Sequence, residues 1–188
     1  MTELRARVAA RRSRSHVTEE SPTHEQLIEL VTAAGRVTDH SALHPWRIIE
    51  LRGEARNRLG AALAEAAGAA GASATGTSAD KLAGKPLRAP LLLAIVAARR
   101  PSDKVAGWEQ DAVASGVAHL LSLLLHDAGW GVMWRTGEYT RTKHVHAMHD
   151  LGKNERLLGW LYVGGLPAGT RDGTRKSIDA EQFLTVLE

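Results

Sequence analysis

Arginine and serine crowd together near the amino terminus, as Arg11-Arg12-Ser13-Arg14-Ser15. Guanidinium groups grip phosphate bidentately and hydroxyls can donate beside them, so at the end of a short helix this run makes a compact anion site. A second polar cluster, Trp134-Arg135-Thr136-Gly137, closes an expected strand. A third, Arg36-Val37-Thr38-Asp39-His40, stands just before His44-Pro45-Trp46. Polar loops at the ends of buried elements are where ligand groups tend to lie. Among the nine histidines, His144, His146 and His149 cluster, and His146 and His149 share one helical face. That spacing lacks the H-E-x-x-H pattern of zinc proteases, and Asp150 is the sole acid in the run, so a solvated helix is the better reading and no metal is expected. No G-x-S-x-G elbow, G-x-x-x-x-G-K-[ST] loop or strand-borne G-x-G-x-x-G occurs, which argues against a serine hydrolase, a P-loop NTPase and a classical dinucleotide fold. Cysteine is absent, which removes disulfides, thiolate metal sites and cysteine nucleophiles.

The elements that must hold these clusters can be read from periodicity. Residues 3–12 predict a short helix with Leu4 and Val8 on one side, broken at Ser13–Ser15. Thr23 and Gln26 have capping-box spacing, and Leu27, Leu30, Val31 and Ala34 then recur at helical intervals up to Gly35. Trp46–Leu51 reads as a strand and Glu54–Ala67 as a helix. The unbroken apolar run Leu91–Ala98 predicts a central strand buried on both faces. Trp108–Ala128 is the longest helical candidate, apolar around most of its circumference, and belongs centrally or in a subunit interface. Trp130–Thr136 and Leu158–Val163 read as strands, with a helix from Thr142, its expected cap, to Leu151 between them. Helices alternating with about four strands indicate a layered α/β or α+β domain.

The bounds are those of an ordinary soluble protein. One domain is expected over residues 1–188, with a flexible Gly/Ala-rich segment at 68–79 and a polar tail from 168 that turns apolar at Phe183, Leu184, Val186 and Leu187 and can strap onto a neighbour. The net charge of +3 comes from the amino-terminal arm, where residues 1–14 carry five arginines against Glu3. Such an arm can bind nucleic acid, form a local phosphate site or simply be a solvated helix. No apolar run approaches membrane-spanning length and no apolar region follows the early arginines, so a cytoplasmic protein is expected.

Taken in order, RRSRS at 11–15, TDHSALHPW at 38–46, KPLRAPLLL at 85–93, WEQ at 108–110, GWGVMWRTG at 129–137 and LGWLYVGG at 158–165 resemble the FMN-dependent nitroreductase family, in particular its small, minimal members. The resemblance implies an α+β, three-layer fold, with a mixed, mainly antiparallel sheet flanked by helices, in an intertwined homodimer with FMN at the interface. Carried over by motif, Arg11, Arg12 and Ser13 hold the phosphate and ribityl side of FMN, and Trp134, Arg135 and Thr136 form a second segment from the same subunit. Arg36 and His40 come from the partner subunit. This chain departs from many relatives at Ala42-Leu43-His44-Pro45-Trp46, which replaces an Asn-x-Gln-Pro-Trp element, and at Ser15, where a basic residue is common. The implied activity is ping-pong transfer of a hydride from NAD(P)H through flavin N5 to a nitroaromatic or quinone acceptor. Positive charge from Arg135 or Arg12 would favour the anionic reduced flavin, and no catalytic side chain is required. With eight aromatic residues in the chain, an open and unselective substrate pocket is expected. Alternatives on the same scaffold are reductive dehalogenation and flavin storage; a nucleic-acid-binding module would rest on the basic arm alone.

Overall fold

The computed structural model describes residues 2–69 and 79–187. Most of the Gly/Ala-rich segment, and with it the expectation that it is flexible, lies outside the described residues.

Helix α1 (Glu3–Ala10) is pinned at one end of the molecule, because Arg7 bridges its own Glu3 at 2.6 Å and Asp127 at 2.5 Å. Helix α2 (His24–Ala34) starts as expected. The Gln26 N–H donates to the Thr23 hydroxyl and the Thr23 N–H donates to the Gln26 side-chain oxygen at 2.9 Å. Then follow β1 (Trp46–Leu51), α3 (Glu54–Ala69), α4 (Ala79–Ala83), β2 (Leu91–Ala98), α5 (Gly107–Asp127), β3 (Gly131–Arg135), α6 (Lys143–Met148) and β4 (Glu155–Gly164).

The strands form one sheet in the order β1-β2-β4-β3, and all three pairings are antiparallel. The parallel pairing that a mixed sheet requires is not made among the described strands. β2 lies inside the sheet and sends alternate residues to opposite faces. Leu91, Leu93 and Ile95 meet Val117, Leu121 and Leu125 of α5, with Leu27 of α2. Leu92, Ala94 and Val96 meet Leu59 and Leu63 of α3 and Val145 of α6. Helices cover both faces, which makes three layers and explains why β2 is apolar throughout. Full burial of each such leucine stabilises the fold by about 1.5–3 kcal/mol.

Four expectations about local structure need correction. β4 begins at Glu155 rather than Leu158, since its first residues are polar, and a bulge interrupts its pairing opposite Ile95 and Val96. α6 stops at Met148 rather than running to Leu151, and Asp150 takes a positive φ of 49°. Thr142 does not cap it, because its hydroxyl donates to the Tyr139 carbonyl at 3.0 Å. The solvated reading of the histidine run also fails for His149, which is buried. Among the described residues, no helix is long and apolar enough to cross a membrane.

Candidate functional site

The chain leaving α1 runs beside β3. The Arg14 N–H donates to the Val132 carbonyl at 2.9 Å, and the Thr18 N–H to the Gly165 carbonyl at 2.9 Å. Gly131 permits this approach, since a methyl group there would fall 2.7 Å from a Val17 methyl. The arginines of the run then divide their work. Arg12 turns back on α1 and donates to the carbonyls of Ala9 and Ala10 at 2.9 and 3.1 Å, covering the negative end of that helix. Arg14 pairs with Asp172. Arg11 is left facing Arg12 and Arg175, and burial followed by the charge of those two arginines lowers its pKa. Arg11, Arg12, Ser13, Arg14, Thr174 and Arg175 line a cavity of about 380 Å³ with no acidic side chain in its lining. Partly desolvated cations of which only Arg14 is paired with a carboxylate make this cavity a candidate anion site.

A second cavity, about 500 Å³, begins one residue further along, between Ser15, His16, Val17, Arg88 and Arg135. Arg135 also lines a third cavity, about 310 Å³, whose walls include Lys85, Tyr139, Trp160 and Tyr162. The Arg135 guanidinium carbon lies 5.1 Å from the centroid of the Tyr162 ring, and its buried Nε has no hydrogen-bond partner among the described residues. Burial pushes the Tyr162 hydroxyl up to about 12, so it stays neutral at physiological pH. Trp134 and Thr136 line this third cavity too, although the Trp134 side chain alternates to the other face of the strand. Its indole packs edge-on against His119 of α5, with ring centroids 4.9 Å apart. Thr136 is exposed just past the strand.

Gly159 makes room for the Trp134–Thr136 segment. Its φ is 147°, at the β4 bulge, and a side chain there would strike the Arg135 carbonyl and lie 2.7 Å from the Trp134 indole nitrogen.

Arg36 and His40 fall elsewhere. They lie in the loop between α2 and β1, and neither lines a cavity that holds Arg11 or Arg135. His40 Nδ1 is 3.7 Å from a Glu109 carboxylate oxygen at the start of α5. Ser41, Ala42 and His44 all take positive φ in this loop, an uncommon run for residues other than glycine. No cluster of metal-ligating side chains forms among the described residues, and the histidines of α6 do not converge.

Sequence reasoning missed Thr174 and Arg175, because a polar tail has no periodicity to place it. It also missed Lys85 and Arg88, although KPLRAP contains both, and the pairing of His149 with Trp160.

Comparison with known proteins agrees with this architecture. Residues 8–165 match the model of the Nitroreductase family. The chain is 34% identical over 154 residues to the Escherichia coli K12 protein named "Putative NAD(P)H nitroreductase YdjA", covering 82% of this chain and 83% of that one. It is 28% identical over 183 residues to a Haemophilus influenzae protein named "Putative NAD(P)H nitroreductase", covering 96% and 97%. Among solved structures, a nitroreductase-like family protein from Bacillus cereus superposes with a TM-score of 0.79 at 20% identity, covering 100% of this chain and 97% of that one. The FMN and NADPH-dependent nitroreductase NfnB from Sphigopyxis sp. strain HMH superposes at 0.72 and 17% identity over the whole of both chains. The fold is the α+β architecture of these nitroreductase-like structures, and the chain belongs to the nitroreductase family.

Proposed function

We propose that the protein is an NAD(P)H-dependent FMN oxidoreductase of nitroreductase type, active as a homodimer on small nitroaromatic or quinone-like acceptors. The observation that carries this reading is the sequence of cavities along β3. A cationic hollow around Arg11 and Arg175 is followed by a polar one at Ser15 and Arg135, and that by an aromatic one sharing Arg135. Phosphate, ribityl chain and planar ring need those three environments in that order. The buried, partnerless Nε atoms of Arg12 and Arg135 are donors that such a ligand would satisfy.

Arg11, Arg12 and Ser13 would hold the phosphate and the adjoining polyol, with Arg175 completing the charge. Arg135 would place a permanent positive charge near the ring, with Trp134 and Thr136 fixing its backbone. When bound, the flavin supplies the redox chemistry, accepting two electrons and a proton from NAD(P)H and passing them to an acceptor that follows the nicotinamide into the same space. No acid, base or nucleophile of the chain is needed for that exchange.

A second copy has two roles in this reading. Arg36 and His40 line none of these cavities in their own chain and would serve a neighbour's site. The tail leaves Phe183, Leu184, Val186 and Leu187 between 75% and 92% exposed, an apolar strip that needs a partner. NAD(P)H oxidation, assayed with a nitroaromatic, with a quinone and with neither, tests the activity. Acceptor-dependent turnover that requires FMN supports it, and turnover absent with both acceptors on the FMN-loaded dimer refutes it.

A further inference from the structure

His149 is 4% exposed and sits just beyond the last residue of α6. Its Nδ1 is 2.8 Å from the Val145 carbonyl oxygen, and its Nε2 is 3.0 Å from the Trp160 indole nitrogen. A carbonyl only accepts and an indole N–H only donates, so both contacts are satisfied by a single state, the neutral tautomer protonated at Nδ1. Trp160 is itself 5% exposed. It walls the aromatic cavity and is the cross-strand partner of Arg135 on β3. The imidazole thus grips the one heteroatom of a side chain that stands beside the site's central cation.

We infer that His149 is a positioning residue for the site: as the Nδ1–H tautomer it fixes the Trp160 indole, and thereby the shape of the cavity that receives the planar ring of the flavin beside Arg135. The inference rests on the proposed flavin reading. A hydrogen bond serving only to satisfy a buried indole would affect stability and leave ring binding alone. Removing the acceptor without removing the bulk separates the two.

The experiment compares wild type, His149→Phe and His149→Gln by titration with FMN and with riboflavin, alongside urea unfolding. A glutamine amide oxygen can accept the indole N–H and a phenyl ring cannot. His149→Phe is expected to weaken both FMN and riboflavin by about tenfold, since the ring end is perturbed and an indole N–H is stranded. His149→Gln is expected to recover affinity to within about threefold of wild type. In wild type and His149→Gln the Trp160 indole N–H resonance should keep the downfield position of a bonded proton. Wild-type affinity in a destabilised His149→Phe overturns the inference and leaves the flavin reading standing. A wild type that binds neither flavin overturns both. If His149→Phe does not fold, His149→Asn, whose amide is too short to reach Trp160, replaces it, and equal affinity of the Asn and Gln variants overturns the inference.

Discussion

The Arg135 guanidinium lies 5.1 Å above the Tyr162 ring, between one cavity lined by Ser15 and another lined by Trp160. A guanidinium on an aromatic face is attracted by the ring quadrupole, and among the described residues no carboxylate forms an ion pair with it. Arg135→Ala is expected to lower FMN affinity by about ten- to hundredfold, the usual range for one charge-assisted contact. The fold should lose only about 1 kcal/mol, the size of a cation–π contact. Flavin titration and urea unfolding of the same preparation measure both. Unchanged affinity would remove Arg135 from the site.

Arg11 should act on the other end of the ligand. Arg11→Ala is expected to weaken FMN about ten- to hundredfold and leave riboflavin, which has no phosphate, within about twofold. Inorganic phosphate should compete with FMN in the wild type and compete less well in the variant. Equal losses for FMN and riboflavin would show that the cationic cavity is not a phosphate site.

Gly159→Ala should damage the site through the backbone. A methyl group at a φ of 147° meets the Arg135 carbonyl, so β3 must shift or the bulge must open. The expected cost is about 2 kcal/mol of stability, with a loss of flavin affinity in whatever folds. A variant as stable as wild type would mean that the bulge relaxes without disturbing Arg135.

Much of this arrangement is legible in the sequence, for reasons that differ by residue. Thr23 and Gln26 announce α2 because the capping bonds are local. β2 stands out because burial on both faces leaves it no polar position. Arg11–Ser13 and Trp134–Thr136 are visible because each lies at the end of a periodic segment. Arg175 is not, since it reaches the site by a tertiary contact, donating to the Arg11 carbonyl at 3.3 Å across 164 residues. The burial of His149 is not legible because α6 is a short helix whose buried side is set by α3 and by the bond from Trp160 rather than by its own pattern. The start of β4 was missed because Glu155 looks like loop, although it is tied to Arg47 at 2.5 Å.

Acid should weaken the fold before the carboxylates titrate. Burial, aided by the charges of Arg47 and His146 and opposed by the Val145 carbonyl, lowers the His149 pKa below its ordinary value of about 6.5. His126 is lowered too, by burial and by Arg14 and Arg11. Below pH 6.5 the unfolded chain therefore binds more protons than the folded one, so stability rises with pH through this window. The contribution is complete above the unfolded value and is lost as pH falls through the folded one. Glu155 and Asp111, lowered by Arg47 and Arg99, enter only at more acid pH. Urea unfolding at pH 7.5 and 5.5 should show lower stability at 5.5, and a smaller difference in His149→Gln. An equal difference in that variant would assign the effect to His126.

The tail should govern assembly. Truncation after Asp179 removes Phe183, Leu184, Val186 and Leu187 and is expected to convert a dimer to a monomer in sedimentation velocity. FMN affinity should fall at least tenfold if Arg36 and His40 serve a neighbouring copy. A full-length protein that sediments as a monomer, or a truncated dimer with unchanged affinity, would contradict the shared site.

The central claim is that the hollows along β3 hold one flavin nucleotide per chain. The most direct measurement is the visible absorption spectrum of the purified protein after titration with FMN and removal of free ligand. A yellow protein retaining one FMN per chain, with the flavin band shifted from that of free FMN, is the expected result. A folded, dimeric protein that stays colourless at tens of micromolar FMN would contradict it.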